Sequence, residues 1–323
     1  MRHPERSVVR KDHRSKWIAL PLAGLIVAVL AACTPQQYQQ GWLPGEPGVS
    51  SIGDMVMPFW VNSWITLVAL GVFVWGLIIW CLVAYRRRKT DTAAPRQLRY
   101  HMPIEILFTV MPLILVGGFF AFTARDSAAI ENNYAVGEDA ALDPDNAADV
   151  HIEVYGKQWA WDFNYLPVDG SEYDGDVYYE GVQAQPTFDE DGNTTGEIDE
   201  ASLPVLYVPV GAQVLVDLKS RDVAHSFWII DFHYKEDTIP GKTNQMSFTA
   251  DRVGTYLGKC AELCGEYHAM MLFQVHVVEA DEYNAYIQSL RDEGNVGSRG
   301  DEYNRNNNLP GTEVPHHGPE ETE

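Results

Sequence analysis

The sequence predicts an all-β extracytoplasmic domain carried behind a two-helix transmembrane hairpin. Two apolar segments, at about 59–85 and 104–123, are each long enough to cross a bilayer, which takes about 20 residues. From about Val150 onward, short runs rich in β-branched and aromatic residues alternate with turn signals, the pattern of a sandwich or barrel. Charge is split as sharply as hydropathy. The segment from Asp126 to the C-terminus holds 39 acidic and 10 basic residues, a formal charge of −29 against −22 for the whole chain. Such a surface suits a basic partner and opposes nucleic-acid binding.

At the N-terminus, Arg2, Arg6, Arg10, Lys11, Arg14 and Lys16 precede an apolar run over 17–30 that closes on Leu30-Ala31-Ala32-Cys33. The run is short and ends on small residues, so 1–32 reads as a secretory signal. A cysteine directly after L-A-A resembles the bacterial lipoprotein signal, which implies lipidation of Cys33; an ordinary signal with Cys33 incidental is the alternative. Residues 33–58 then form an extracytoplasmic N-terminal segment and 59–125 the hairpin. Between its two spans lie Arg86, Arg87, Arg88, Lys89, Arg96 and Arg99. The positive-inside rule puts that loop in the cytoplasm and both ends of the mature chain outside the cell membrane.

The exported domain is expected over 126–290, with strands at 151–155, 158–165, 205–208, 213–218, 226–230, 245–249, 254–259 and 271–278, and a short helix at 281–290. Residues 166–203, rich in Asp, Glu, Gly and Tyr, read as an acidic insertion. The polar stretch 291–323 reads as a disordered tail, with His316 and His317 as solvent-exposed residues within it. Of four cysteines, Cys33 sits at the signal junction and Cys81 in a span, leaving Cys260 and Cys264 in the exported domain. One pair is too few for a disulfide scaffold, so the domain must build its own hydrophobic core.

That pair lies in Lys259-Cys-Ala-Glu-Leu-Cys264-Gly-Glu-Tyr-His268-Ala-Met-Met271, where two thiols, an imidazole and a thioether follow at spacings of four, four and three. A disulfide is one reading and a zinc site another, since two Cys and two His make an ordinary tetrahedron. Met271 favours copper: a thioether is a poor zinc ligand, whereas His, Cys thiolate and a weak axial Met define cupredoxin-type sites. Such a site takes one histidine from an earlier strand. His225, in Asp222-Val-Ala-His225-Ser-Phe-Trp228, ranks first; His151 and His233 upstream and His276 downstream compete. A mononuclear blue site needs a single cysteine, and two bridging thiolates in a dinuclear centre would account for the second.

The whole pattern, H-x(34)-C-A-E-L-C-x-x-x-H-x-x-M behind two spans and a β domain, resembles subunit II of cytochrome c oxidase, the CuA-bearing subunit of haem-copper oxidases, and its actinobacterial members in particular. The resemblance implies a cupredoxin-like Greek-key domain. It implies a dinuclear copper centre with bridging thiolates at Cys260 and Cys264, terminal imidazoles at His225 and His268, and axial contacts from Met271 and the Glu262 carbonyl. The Glu262 side chain would help bind a magnesium ion shared with subunit I. Gly156-Lys-Gln-Trp159-Ala-Trp161 resembles the family's aromatic strand and implies that electrons enter at Trp159; by alternation alone Trp159 would simply line a strand face. Glu105 resembles the glutamate at the mouth of a proton channel, where otherwise it is an ordinary helix-dipole partner. Asp237-Thr-Ile-Pro240-Gly241 also matches, while Phe108 and Lys242 stand where the family has Trp and Arg.

The implied partners are subunit I, other oxidase subunits and a c-type cytochrome, in a bc-oxidase supercomplex. The implied reaction is reduction of oxygen to water coupled to proton translocation. A thioredoxin-type copper chaperone with C-x-x-x-C is the alternative from another class. It expects its distant histidine after the cysteines and requires no Met271.

Overall fold

The computed structural model describes residues 34–87 and 97–304. The signal region with Cys33, loop residues 88–96, and 305–323 with His316 and His317 lie outside the described residues.

Three helices lead into the domain: α1 (Pro35–Gln40), α2 (Ser51–Ala84) and α3 (Met102–Ile130). At a rise of about 1.5 Å per residue, a 34-residue helix such as α2 exceeds the ~30 Å a hydrocarbon core requires. The surplus is at its start. Ser50 caps the helix by accepting the Gly53 N–H, and Ile52, Gly53 and Met57 are buried. Ile52 belongs to the same apolar core as the β domain. The Thr249 N–H donates to Ser51 Oγ and the Asp251 N–H to the Val49 carbonyl. The segment expected over 33–58 is therefore helical from Ser51, and it ties the membrane hairpin to the domain. Further along, α2 and α3 expose Ile65, Val72, Trp75, Leu113 and Ile114, as spans bathed in lipid or covered by other subunits must.

After the short helix α4 (Gly137–Leu142) come β1 (Val150–Lys157), β2 (Ala160–Leu166), β3 (Val177–Tyr179), β4 (Pro186–Phe188), β5 (Thr194–Ile198), β6 (Val205–Pro209), β7 (Gln213–Ser220), β8 (His225–Ile229), β9 (Tyr234–Thr238), β10 (Asn244–Thr249), β11 (Gly254–Cys260) and β12 (Leu272–Val278), then helix α5 (Ala280–Asp292). One sheet runs β10-β7-β1-β2-β3 and the other β6-β12-β11-β8-β9. Within them β1 pairs parallel with β7, and β12 with β6, while every other pair is antiparallel. This is the cupredoxin-like sandwich with crossed Greek-key connections. Inward-facing aromatics fill the space between the sheets: Phe227 and Phe273 stack at 4.6 Å, and Trp161 meets both edge-on. Gly258 lies directly across from Phe273, where a Cβ would fall 2.1 Å from that ring. Only glycine leaves the ring its place.

The eight strands expected from alternation are present within two residues at most boundaries. β9 was not expected, because Tyr-Lys-Glu-Asp-Thr carries no apolar alternation; it is the edge of its sheet. The acidic stretch 166–203 is not one loop. β3 joins the first sheet by pairing with β2, and β4 and β5 form a separate exposed hairpin. The tail expected to be disordered from 291 is instead held through Asn304. Val296 bridges Val177, and Arg299 is buried. The packing that orders it comes from Asn164 on β2 and from Arg221 just past the end of β7, which local composition does not reveal.

Candidate metal centre

The β12 and β11 hairpin carries the cysteine loop at one end of the sandwich. The Cys260 N–H donates to the Met271 carbonyl at 2.9 Å, closing the loop at its base. Antiparallel pairing sets the end of β11 against the start of β8, with Cys260 opposite Phe227 and the Ala261 N–H donating to the Ser226 carbonyl at 3.0 Å. His225, 35 positions earlier in the chain, is thereby brought to the thiols. It begins β8, fully buried, against Gly156 of β1, where a Cβ would fall 2.8 Å from the imidazole.

Cys260 and Cys264 are both free and buried, their sulfurs 3.8 Å apart. That distance excludes a disulfide, whose sulfurs stand at about 2.05 Å. It is the separation that one ion bonded to both sulfurs at ~2.3 Å needs for a near-tetrahedral angle. His225 Nδ1 lies 4.0 Å from Cys260 Sγ, and His268 Nδ1 3.5 Å from Cys264 Sγ. Met271 Sδ lies 3.7 Å from Cys264 Sγ, and the Glu262 carbonyl 3.2 Å from Cys260 Sγ. The donor atoms of His225, Cys260 and Cys264 all fall within 4.8 Å of one another. All six donors expected of the copper site converge on one small volume. Two thiols, two imidazole nitrogens, a thioether and a carbonyl fit copper better than zinc.

Electrostatics prepare the set for a cation. The contact with Cys264, aided by His225 and the local backbone, pulls the Cys260 thiol down to about 3 against the effect of its burial. The same contact, with burial, pushes the Cys264 thiol well up. Burial opposes charge on His225, yet Asp222 and Cys260 raise it above the ordinary imidazole value. Asp222 is itself held below the usual carboxylate range, despite burial, by His225, the Gln158 N–H and the Val223 N–H.

Asp222 is a functional residue that the sequence reading misses. Its Oδ1 lies 2.8 Å from His225 Nε2, so the Nε2 proton faces the carboxylate and Nδ1 turns its lone pair toward the sulfurs. Gln158 adds a second brace, its backbone N–H on Asp222 Oδ2 at 2.7 Å and its side-chain Nε2 on the Cys264 carbonyl at 2.7 Å. The spacing Asp-x-x-His was the available signal for the first. Nothing local pointed to the second.

Trp159 is half-buried beside the loop. Its indole N–H donates to the Cys264 carbonyl at 3.2 Å, and its ring meets Tyr267 edge-on at 4.9 Å. Glu105 lies elsewhere, in the first turn of α3, accepting the His101 N–H at 2.8 Å as a cap. The Glu262 side chain is exposed beside the loop. The competing histidines are engaged away from the thiols: His151 with Asp217, His233 with the Pro44 carbonyl, His276 with Gln274.

Residues 150–278 match the family model described as cytochrome C oxidase subunit II, periplasmic domain, and 39–123 match its transmembrane domain. The chain is 38% identical over 302 residues to a probable cytochrome c oxidase subunit 2 of Streptomyces avermitilis, spanning 89% of this chain and 91% of that one. It is 30% identical over 311 residues to cytochrome c oxidase subunit 2 of Corynebacterium glutamicum, spanning 84% and 82%. A solved periplasmic domain of subunit II of cytochrome oxidase from Bradyrhizobium japonicum is 30% identical and covers 45% of this chain and 96% of that one, with a TM-score of 0.36.

Replacing Asp222 by Ala leaves the His225 Nε2–H without its acceptor. Loss of such a bracing partner costs roughly 10–100-fold in metal affinity, and chelator competition on the copper-loaded chain should read that loss; unchanged copper retention would remove Asp222 from the site.

Proposed function

The chain belongs to the cytochrome c oxidase subunit II family, a membrane-anchored oxidase subunit with its β domain outside, and on that footing we propose that it relays single electrons from a c-type cytochrome to haem in subunit I. The observation that carries the proposal is the pair of buried, unjoined thiols 3.8 Å apart, flanked by the Nδ1 atoms of two histidines and by Met271. His225, Cys260, Cys264, His268, Met271 and the Glu262 carbonyl would hold a dinuclear copper centre. When bound, such a centre supplies a one-electron acceptor and donor that needs no substrate pocket.

The protein's own residues do the rest. The loop is clamped at its base and braced by Gln158, so its donor atoms are held in position before any metal arrives. That rigidity keeps reorganisation small when charge changes. Burial of both thiols keeps water and oxidants away from sulfur; a chaperone that hands copper on would need them accessible. Trp159 gives electrons a path from the surface, its ring next to partly exposed Tyr267 and its N–H hydrogen-bonded to the backbone of the ligand Cys264. The excess of carboxylates on the exported domain would steer a basic cytochrome. In the actinobacterial setting that donor is taken to be part of a bc-oxidase supercomplex, and the reaction on subunit I to be oxygen reduction coupled to proton translocation. Glu105, at the start of the second span, is assigned to the mouth of the proton path. The exposed Glu262 carboxylate is assigned to a magnesium ion shared with subunit I.

Copper loading of the intact chain should give two coppers per chain and a purple colour from thiolate-to-copper charge transfer. A colourless protein holding one zinc would overturn the reading. Two variants separate the paths of electron and proton. Trp159→Phe should slow reduction by the cytochrome with the copper spectrum intact, and Glu105→Gln should slow turnover with copper reduction intact; wild-type rates would dismiss either role. Metal analysis of the assembled oxidase carrying Glu262→Gln should find magnesium missing, and full occupancy would assign that ion elsewhere.

A further inference from the structure

Past the last family-matched residue, 278, the chain forms α5 and then crosses back over the first sheet as a strap. The strap pairs with β3, the Tyr178 N–H donating to the Asn295 carbonyl and the Gly297 N–H to the Asp176 carbonyl. Buried Asn164 then grips Arg299 through both backbone groups, accepting its N–H at 3.0 Å and donating Nδ2 to its carbonyl at 3.0 Å. Outside the strand ladders, such two-sided recognition of a backbone holds a segment in one register.

Beneath the strap is a buried cluster with more positive than negative charge. Arg221, 3% exposed, donates Nε to Asp162 Oδ2 at 2.7 Å, and Lys157, 2% exposed, takes Asp162 Oδ1 at 2.7 Å. One carboxylate thus serves two cations, and Glu180 reaches Lys157 only at 3.8 Å. A guanidinium does not give up its proton, so its remaining N–H groups need acceptors when buried. The strap supplies them: the Gly300 carbonyl accepts Nη1 at 2.8 Å and the Arg299 carbonyl accepts Nη2 at 3.0 Å. Tyr155 lies under the guanidinium, 4.0 Å from its ring centroid.

The residues that read the strap are chain neighbours of the residues that brace the metal centre. Arg221 precedes Asp222, which orients His225, and Lys157 precedes Gln158, which binds both Asp222 and the Cys264 carbonyl. The Arg221 N–H, donating to the Gly156 carbonyl at 2.9 Å, joins the two short segments.

We propose that the strap over 295–300 is a positioning latch for the metal centre, acting through Arg221 to fix the turn that carries Asp222 and hence the His225 imidazole. Without the strap, Arg221 keeps one of its three acceptor contacts, and the carboxylate next to it in the chain is Asp222. A guanidinium turned toward Asp222 competes with His225 for it. Arg221 is a positioning residue and touches no ligand atom. The inference rests on the assignment of His225 as a ligand, and its test is chosen to stand apart from copper binding.

The intact chain, labelled with nitrogen-15 at histidine and free of metal, should show a slowly exchanging Nε2–H resonance for buried His225. Ending the chain after Gly294, and separately Arg221→Gln, should each abolish that slow exchange. Each should also weaken copper retention against a chelator roughly 10–100-fold, the range seen for lost bracing partners. Removing only 305–323 serves as the length control and should change neither readout. If both variants merely lower the melting temperature while the His225 resonance and copper retention stay as in the intact chain, the latch is refuted; should the shortened chain fail to fold, Arg221→Gln alone decides. Failure of the intact chain to take up copper would defeat the electron-relay reading and leave the resonance in the metal-free chain to judge the latch.

Discussion

The centre depends first on a backbone hydrogen bond, the one from the Cys260 N–H to the Met271 carbonyl. It fixes the two ends of a loop that carries five of the six donors, so the loop cannot open without unpairing β11 from β12. The sixth donor comes from β8 because antiparallel pairing with β11 leaves no other place for His225. Rigid strands thus set the separations, and the loop between them need only be long enough to turn its side chains inward.

Burial is the second constraint, and it acts with both signs. Removing Cys260, Cys264 and His225 from water penalises any uncompensated charge there. The protein answers with pairings in which each partner lowers the other's cost: the Cys260 sulfur against the Cys264 sulfur, and a carboxylate opposite the imidazole. Beneath, the aromatic packing of Trp161, Phe227 and Phe273 keeps the floor dry, and Gly156 and Gly258 mark where a single methyl group would push a ring out of place.

Around this core the charges are sorted. Carboxylates dominate the exported surface, whereas Lys157, Arg221 and Arg299 are drawn inward and hydrogen-bonded by Asp162, Glu180 and backbone carbonyls. Buried cations of this kind contribute little net stability over apolar packing but are intolerant of losing a partner. They suit places where one geometry must be kept, and here they lie between the C-terminal strap and the segments that brace the ligands.

The sequence by itself determined the two spans, the β character of the exported domain, the cysteine loop and the choice of His225 as the first candidate histidine, because each is written in local spacing or hydropathy. It could not say that His151 and His233 are satisfied elsewhere, since their partners, Asp217 and the Pro44 carbonyl, lie far along the chain. It passed over β9, whose edge position needs no alternation, and it read 293–304 as tail because polar composition looks the same whether water or a buried arginine satisfies its carbonyls. Asp222 bracing His225, Gln158 bracing Cys264, and the strap reaching Arg221 were decided only by the tertiary structure. Hydrogen bonds such as that between Gln158 and Cys264, 106 positions apart, depend on which strands are neighbours, and that is a property of the folded sheets rather than of any stretch of sequence.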